Sequence, residues 1–143
     1  MTRPVISGIA PFFVARNAAA AVAFYRDKFG FDVICQEPDH DLFFAIVCRD
    51  GAMLMVKRVA VNLEPNPTRD PAARWDAYIN VPDPDALATE FTSRGVIFSV
   101  PLKDTSDGLR GIHYAPSFLV ARLFTVCHHL GWTSEILLRL NHR

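Results

Sequence analysis

The chain has 143 residues, half of them hydrophobic, and its 15 basic and 15 acidic side chains cancel to a net charge of zero. That length suffices for one domain with a sizeable core, and the balanced charge leaves no electrostatic footprint for nucleic acid or anionic lipid. No basic stretch followed by an apolar core marks a signal peptide, and the run from Phe118 to Val126, broken by Arg122, is too short to span a bilayer, so a cytoplasmic protein is expected.

In chain order, Ile9 to Ala15 is short, apolar and rich in β-forming residues, which predicts a largely buried strand. Asn17 offers an acceptor to the free amides of a first helical turn. Ala18 to Phe29 then carries Val22, Tyr25 and Phe29 at i, i+3 and i+7, one apolar stripe to lay on a sheet. Gly30 ends this helix, and a strand begins at Phe31 to Cys35. A polar turn at Glu37 to Asp41 leads to a strand from Leu42 to Arg49, a hairpin signal at Asp50-Gly51, and a strand from Ala52 to Val59. Residues 60–74, with Pro65, Pro67 and Pro71, read as a connection.

The order then repeats. Trp75 to Val81 predicts a strand, Asp83 an N-cap with Pro84 as the first helical residue, and Leu87 and Phe91 an apolar pair. Gly95 ends the second helix and Val96 to Val100 resumes as strand. Asn17 to Asp83 is a step of 66, Phe24 to Phe91 of 67 and Gly30 to Gly95 of 65, which together indicate an internal repeat.

The sequence resembles the vicinal oxygen chelate superfamily of glyoxalases, extradiol dioxygenases, fosfomycin-resistance enzymes and bleomycin-resistance proteins. The likeness rests on Pro11-Phe-Phe-Val-Ala-Arg-Asn17, Ala21-Val-Ala-Phe-Tyr-Arg-Asp-Lys-Phe-Gly-Phe31, Val81-Pro-Asp-Pro-Asp-Ala-Leu87 and Gly108-Leu-Arg-Gly111. It covers about Ile6 to Gly111 and is greatest toward the bleomycin-resistance-like group. The resemblance implies an α+β fold of two βαβββ modules forming concave mixed sheets. Residues 1–143 would be one domain, with module 1 at about 6–59, a linker at 60–74, module 2 at about 75–126 and a divergent tail over 112–143.

Family enzymes hold a divalent metal in the cup of these sheets. Their ligand positions fall here on Ala10, Met55 and Asp76, with Leu123 at the last, so one oxygen donor stands where four ligands are needed. The resemblance therefore implies no metal and no cofactor. Strand alternation places Phe12 and Val14 on the face of Ala10, Met53 and Lys57 on that of Met55, and Tyr78 and Asn80 on that of Asp76. These eight residues (Phe12, Val14, Met53, Met55, Lys57, Asp76, Tyr78 and Asn80) are the expected ligand contacts, unless the apolar ones simply fill a core.

No catalytic residue is assigned. The histidines show no metal-ligand spacing, and no phosphate loop, zinc finger or nucleophile elbow is present. Three cysteines cannot all pair, and Cys35 and Cys48 read as buried, reduced thiols. Pro11 matches a proline that lets the N-terminal arm of the bleomycin-resistance group cross to a second subunit, so a homodimer is implied. The leading expectation is metal-independent binding or sequestration of a small aromatic or antibiotic-like molecule. The alternatives are a metal-dependent glyoxalase-, lyase- or dioxygenase-type enzyme and a domain whose second cup is spoiled by its tail. Bleomycin itself is a poor match, since a strongly cationic drug favours an acidic binder. In the tail, residues near 120–126 are expected to pair as a strand with Leu123 facing the cup, and 133–140 to form a short helix.

Overall fold

Asn17 and Asp83 open the two long helices of the computed structural model, each by accepting a hydrogen bond from a first-turn amide. Asn17 Oδ1 accepts from the Ala20 amide and Asp83 Oδ1 from the Ala86 amide, both at 2.9 Å. The structure describes residues 3–61, 64, 68, 70, 76–106 and 108–114, together with the backbone of 123–128. The predicted strand residue Trp75, residues 120–122 of the predicted tail strand and the predicted helix over 133–140 lie outside the described residues. The chain divides into two compact units, and among the described residues the boundary between them falls between Asp76 and Ala77.

The first unit runs β1 (Phe12–Ala15), α1 (Ala18–Asp27), β2 (Asp32–Glu37), β3 (Phe44–Arg49) and β4 (Ala52–Arg58). Its sheet has the order β1-β4-β3-β2, with β1 and β4 parallel and the other pairs antiparallel. β1 is shorter than the predicted Ile9 to Ala15. Pro11 has no amide to donate, and pairing starts where its carbonyl accepts from the Met55 amide at 3.0 Å. The predicted stripe on α1 is buried: Val22, Tyr25 and Phe29 are all within 2% of full burial. They pack with Ala15, Ala45, Val47 and Val56, which are fully buried on one face of the sheet. Phe29 lies just beyond the helix, where Gly30 turns the chain at φ 68° and the Phe31 amide reaches the Tyr25 carbonyl at 2.9 Å. Arg49 donates to the Phe29 carbonyl at 2.6 Å and ties that corner to β3. The Asp50-Gly51 turn closes the β3–β4 hairpin with positive φ at both residues, as such turns require.

The second unit runs β5 (Ala77–Asn80), α2 (Pro84–Ser93), β6 (Val100–Asp104), β7 (Leu109–Tyr114) and β8 (Leu123–His128). Its order, β5-β8-β7-β6, is the first sheet's order repeated. Gly95 (φ 77°) answers Gly30, and Phe91 answers Phe24, both buried. One expectation is displaced: the strand foreseen at Val96 to Val100 begins only at Val100. Val96 is used to cap α2, its amide bonded to the Phe91 carbonyl at 2.9 Å and its side chain buried. Pro101, which lacks a donor, falls within a register shift between Val100 and Lys103. Gly108-Leu-Arg-Gly111 is explained by architecture. Gly108 turns at φ 80°, and Arg110 grips Asp85 of α2 through two bonds of 2.7 and 2.8 Å and Asp104 of β6 at 3.2 Å. Among the described residues no helix is long and apolar enough to cross a membrane.

Each cap satisfies an amide that would otherwise face water alone at the helix start, so Asn17→Ala and Asp83→Ala are each expected to cost about 1 kcal/mol in urea unfolding. β8 lies between β5 and β7 and pairs with both. Hydrogen exchange is therefore expected to be slow across 124–127. Exchange there as fast as in the exposed residues 3–8 would remove β8 from the sheet.

Candidate functional site

Helix α1 covers one face of the first sheet, so the period of two along each strand decides which side chains are left on the other. Register gives three rows on that open face. Cys35, Ile46, Met55 and Phe12 stand side by side, as do Glu37, Phe44, Lys57 and Val14, and as do Asp32, Cys48 and Met53. The five expected contacts of the first module, Phe12, Val14, Met53, Met55 and Lys57, thus share one face. Phe12 is 52% exposed and Met53 39%, while Val14, Met55 and Lys57 are half-buried. Phe12 and Phe44 stack at 6.0 Å between ring centres, and the Lys57 ammonium sits 5.0 Å over the Phe43 ring.

Cys35 and Cys48 belong to this face and were not foreseen there. Both are free thiols and only half-buried, not the core cysteines their apolar surroundings suggest. Counting back from the Asp50-Gly51 turn would have found Cys48, because a two-residue hairpin sets Arg49 against Ala52 and therefore Cys48 against Met53.

On the second sheet Tyr78 is 51% exposed and Asn80 is exposed, while Ile112 on the opposite face is 2% exposed. Tyr78 and Asn80 therefore lie on the face away from Ile112. Asp76 precedes β5 and is half-buried. Register aligns Tyr78, Phe124 and His113, and separately Asn80, Val126 and Gly111. Leu123 stands instead in the row of Ala77 and Tyr114, one residue off the position expected for a cup-facing residue. A slip of one residue exchanges the faces of a strand. Burial, and then the charge of Lys103, hold the His113 imidazole below its ordinary pKa.

The positions carried over for a divalent metal do not fit one. Ala10 has no donor, and Met55 supplies a thioether, which is too soft for the ions that carboxylates and imidazoles hold. Among the described residues no three His, Cys, Asp or Glu side chains gather as a metal-binding group. Two cavities lie elsewhere. One of about 590 Å³ flanks α1 and is lined by Arg16, Arg26, Gln36, Asp41, Leu42 and Arg58, among others. There a hydrogen bond and the charge of Arg58 hold the Asp41 carboxyl below the ordinary carboxylate range. Another of about 660 Å³ lies between α2 and β6, beside Ala88, Thr92, Phe98 and Leu102.

Similar solved structures share this fold. TioX from Micromonospora sp. ML1 is 17% identical, with 85% of this chain and 99% of that one covered at a TM-score of 0.67. The bleomycin-binding protein from bleomycin-producing Streptomyces verticillus, solved with copper(II)-bleomycin, is 21% identical over 92% and 100% of the two chains, at 0.58. The fosfomycin resistance protein FosX from Listeria monocytogenes, solved as a point mutant with Mn(II) and 1S,2S-dihydroxypropylphosphonic acid, is 14% identical over 88% and 95%, at 0.63. None of the curated protein sequences compared with the chain matches it. A family model matches residues 8–124, past Gly111 and into β8. The chain belongs to the Glyoxalase/Bleomycin resistance protein/Dioxygenase superfamily.

Proposed function

We propose that this protein binds and sequesters a small aromatic molecule on the open face of its first sheet, without a divalent metal and without chemical turnover. The observation that carries the reading is the Phe12–Phe44 stack, half exposed on a face that also offers Met55, Val14 and the Lys57 ammonium. Aromatic rings and thioethers offer broad, polarisable contact area, and one cation among them orients a ligand. A contiguous apolar surface of this kind marks an interaction site more often than an idle surface. A relative that binds bleomycin on the same fold supports the reading without naming the ligand here. Tyr78 and Asn80 on the second sheet, with Asp76 ahead of β5, are proposed as polar contacts of that sheet in its own right. Thioether and methyl at Met55 and Ala10 are the reason a metal-dependent reaction is not proposed.

A thermal-shift screen of aromatic antibiotics is expected to find a ligand that raises the unfolding midpoint, since binding to the native state adds about 2.7 kcal/mol at a hundredfold excess over Kd. Phe12→Ala is expected to weaken that ligand by about 1 kcal/mol, roughly fivefold, through the lost stack. An affinity unmoved by both Phe12→Ala and Lys57→Met would take the ligand off this face.

Assembly through the N-terminal arm is proposed with it. Val5, Ile6 and Ile9 are 90, 79 and 88% exposed, and β1 is a sheet edge. Pro11 is already fixed to Met55 through its carbonyl, so the segment that crosses to a second copy is the one ahead of it. Light scattering is expected to give a dimer mass at micromolar concentration and a monomer mass after residues 2–8 are deleted. A monomer mass for the full chain would rule this assembly out.

A further inference from the structure

The open face of the first sheet has two chemically different ends. Phe44 and the Lys57 ammonium occupy one, Cys48 and Met53 the other, and Phe12, Met55 and Cys35 share the row between them. Cys48 stands directly opposite Met53, Met55 follows Met53 on the same side of β4, and Cys35 stands opposite Ile46, the next residue on that side of β3.

The backbone brings the first two close. The Met55 amide donates to Pro11 of the β1 side, so it does not bond to β3, whereas the Arg58 amide donates to Phe43 on the β3 side. Amides alternate along a strand, so Met53, two residues from Met55, also turns its amide away from β3. Cys48 and Met53 are therefore a non-hydrogen-bonded pair, the class whose Cα atoms approach to about 4.5 Å and whose side chains lie closest. Met55 is diagonal to Cys48, at about 7–8 Å between Cα atoms, within reach of a long thioether arm. On the other flank of Cys48 stands Asp32, an exposed carboxylate. None of these sulfurs is sealed in the core: Met53 is 39% exposed, and Met55, Cys35 and Cys48 are half-buried.

We propose that Cys48, Met53 and Met55 form a binding site for a soft monovalent cation of the copper(I) type. Thiolate and thioether donors select copper(I) over the harder divalent ions, and a d10 monovalent ion is satisfied by two or three of them. On binding, the Cys48 thiol releases its proton to solvent and its sulfur forms the bond to the ion, so thiolate and ion neutralise each other and no electron is transferred. Asp32, opposite Cys48 on β2, adds negative charge on that flank. One thiolate is too few zinc-type ligands for a tetrahedral zinc site, and the thioethers are too soft for manganese. The site shares Met55 with the organic-ligand reading but does not depend on it, because its donors are sulfur atoms and its readout is the ion alone.

The test is anaerobic titration of the full-length Cys127→Ser protein with copper(I) against bathocuproine disulfonate. One ion per chain is expected, with one proton released. Cys48→Ser and Met53→Leu are each expected to weaken binding by about tenfold or more, and Ile97→Ala, an exposed side chain of the second unit, to leave it unchanged. Met→Leu conserves volume, and an unaltered thermal midpoint of the copper-free Met53→Leu protein separates a lost donor from a lost fold. Zinc(II) added in parallel is expected to be removed by dialysis. Copper(I) held equally well by the Cys48→Ser/Met53→Leu double variant, or not held at all by the parent, overturns the proposal.

Discussion

The bond from the Met55 amide to the Pro11 carbonyl decides how the first sheet presents itself. It docks β1 on β4, sets Phe12 beside Met55, and fixes which amides of β4 face β3. Because strands have a period of two, this one register assigns every side chain of β4 to the α1 face or to the open one. Leu54 and Val56 go under the helix, while Met53, Met55 and Lys57 are left outside. A proline suits the starting point. It gives up an amide that an edge strand does not need and keeps the carbonyl that β4 uses.

Most of the fold was legible because it rests on local signals that tertiary packing reinforces. Asn17 and Asp83 cap helices, Gly30 and Gly95 end them at positive φ, and the apolar stripe of α1 is buried as its spacing demands. Where local signals conflict, tertiary packing decides. Val96 looks like a strand former, yet its side chain is more useful sealing the end of α2, so β6 starts four residues later. Propensity at such a position is a weak guide because burial outweighs it.

The open face was legible by half. Alternation alone places Phe12, Val14, Met53, Met55 and Lys57 together, since each needs only its own strand. Cys35 and Cys48 needed cross-strand register, and for Cys35 also the bulge between Val33 and Cys35, which no short-range pattern announces. The same limit explains Leu123. In the first sheet the partner of Phe12 is Met55; in the second, the partner of Tyr78 is Phe124. The position corresponding to Met55 is thus Phe124, one residue beyond the Leu123 that the resemblance implied for the divergent tail.

That correspondence also separates the two repeats chemically. Phe12 corresponds to Tyr78 and Val14 to Asn80, a step of 66 in each case. Continuing across the rows, Ile46 corresponds to His113 and Phe44 to Gly111. These four exchanges each add a polar group or remove an aromatic one, whereas Met55 to Phe124 and Lys57 to Val126 run the other way. Duplicated backbone therefore carries two unlike surfaces: one apolar and sulfur-rich, one with a phenol, an amide and an imidazole. Burial lowers the His113 pKa, so this imidazole stays neutral at a pH where an ordinary one begins to take up a proton. As the pH falls below 6.5 the unfolded chain binds that proton first, and the second sheet loses stability until the native imidazole also titrates. The rows on the first sheet's open face contain no histidine among the described residues, so this route belongs to the second repeat's surface alone.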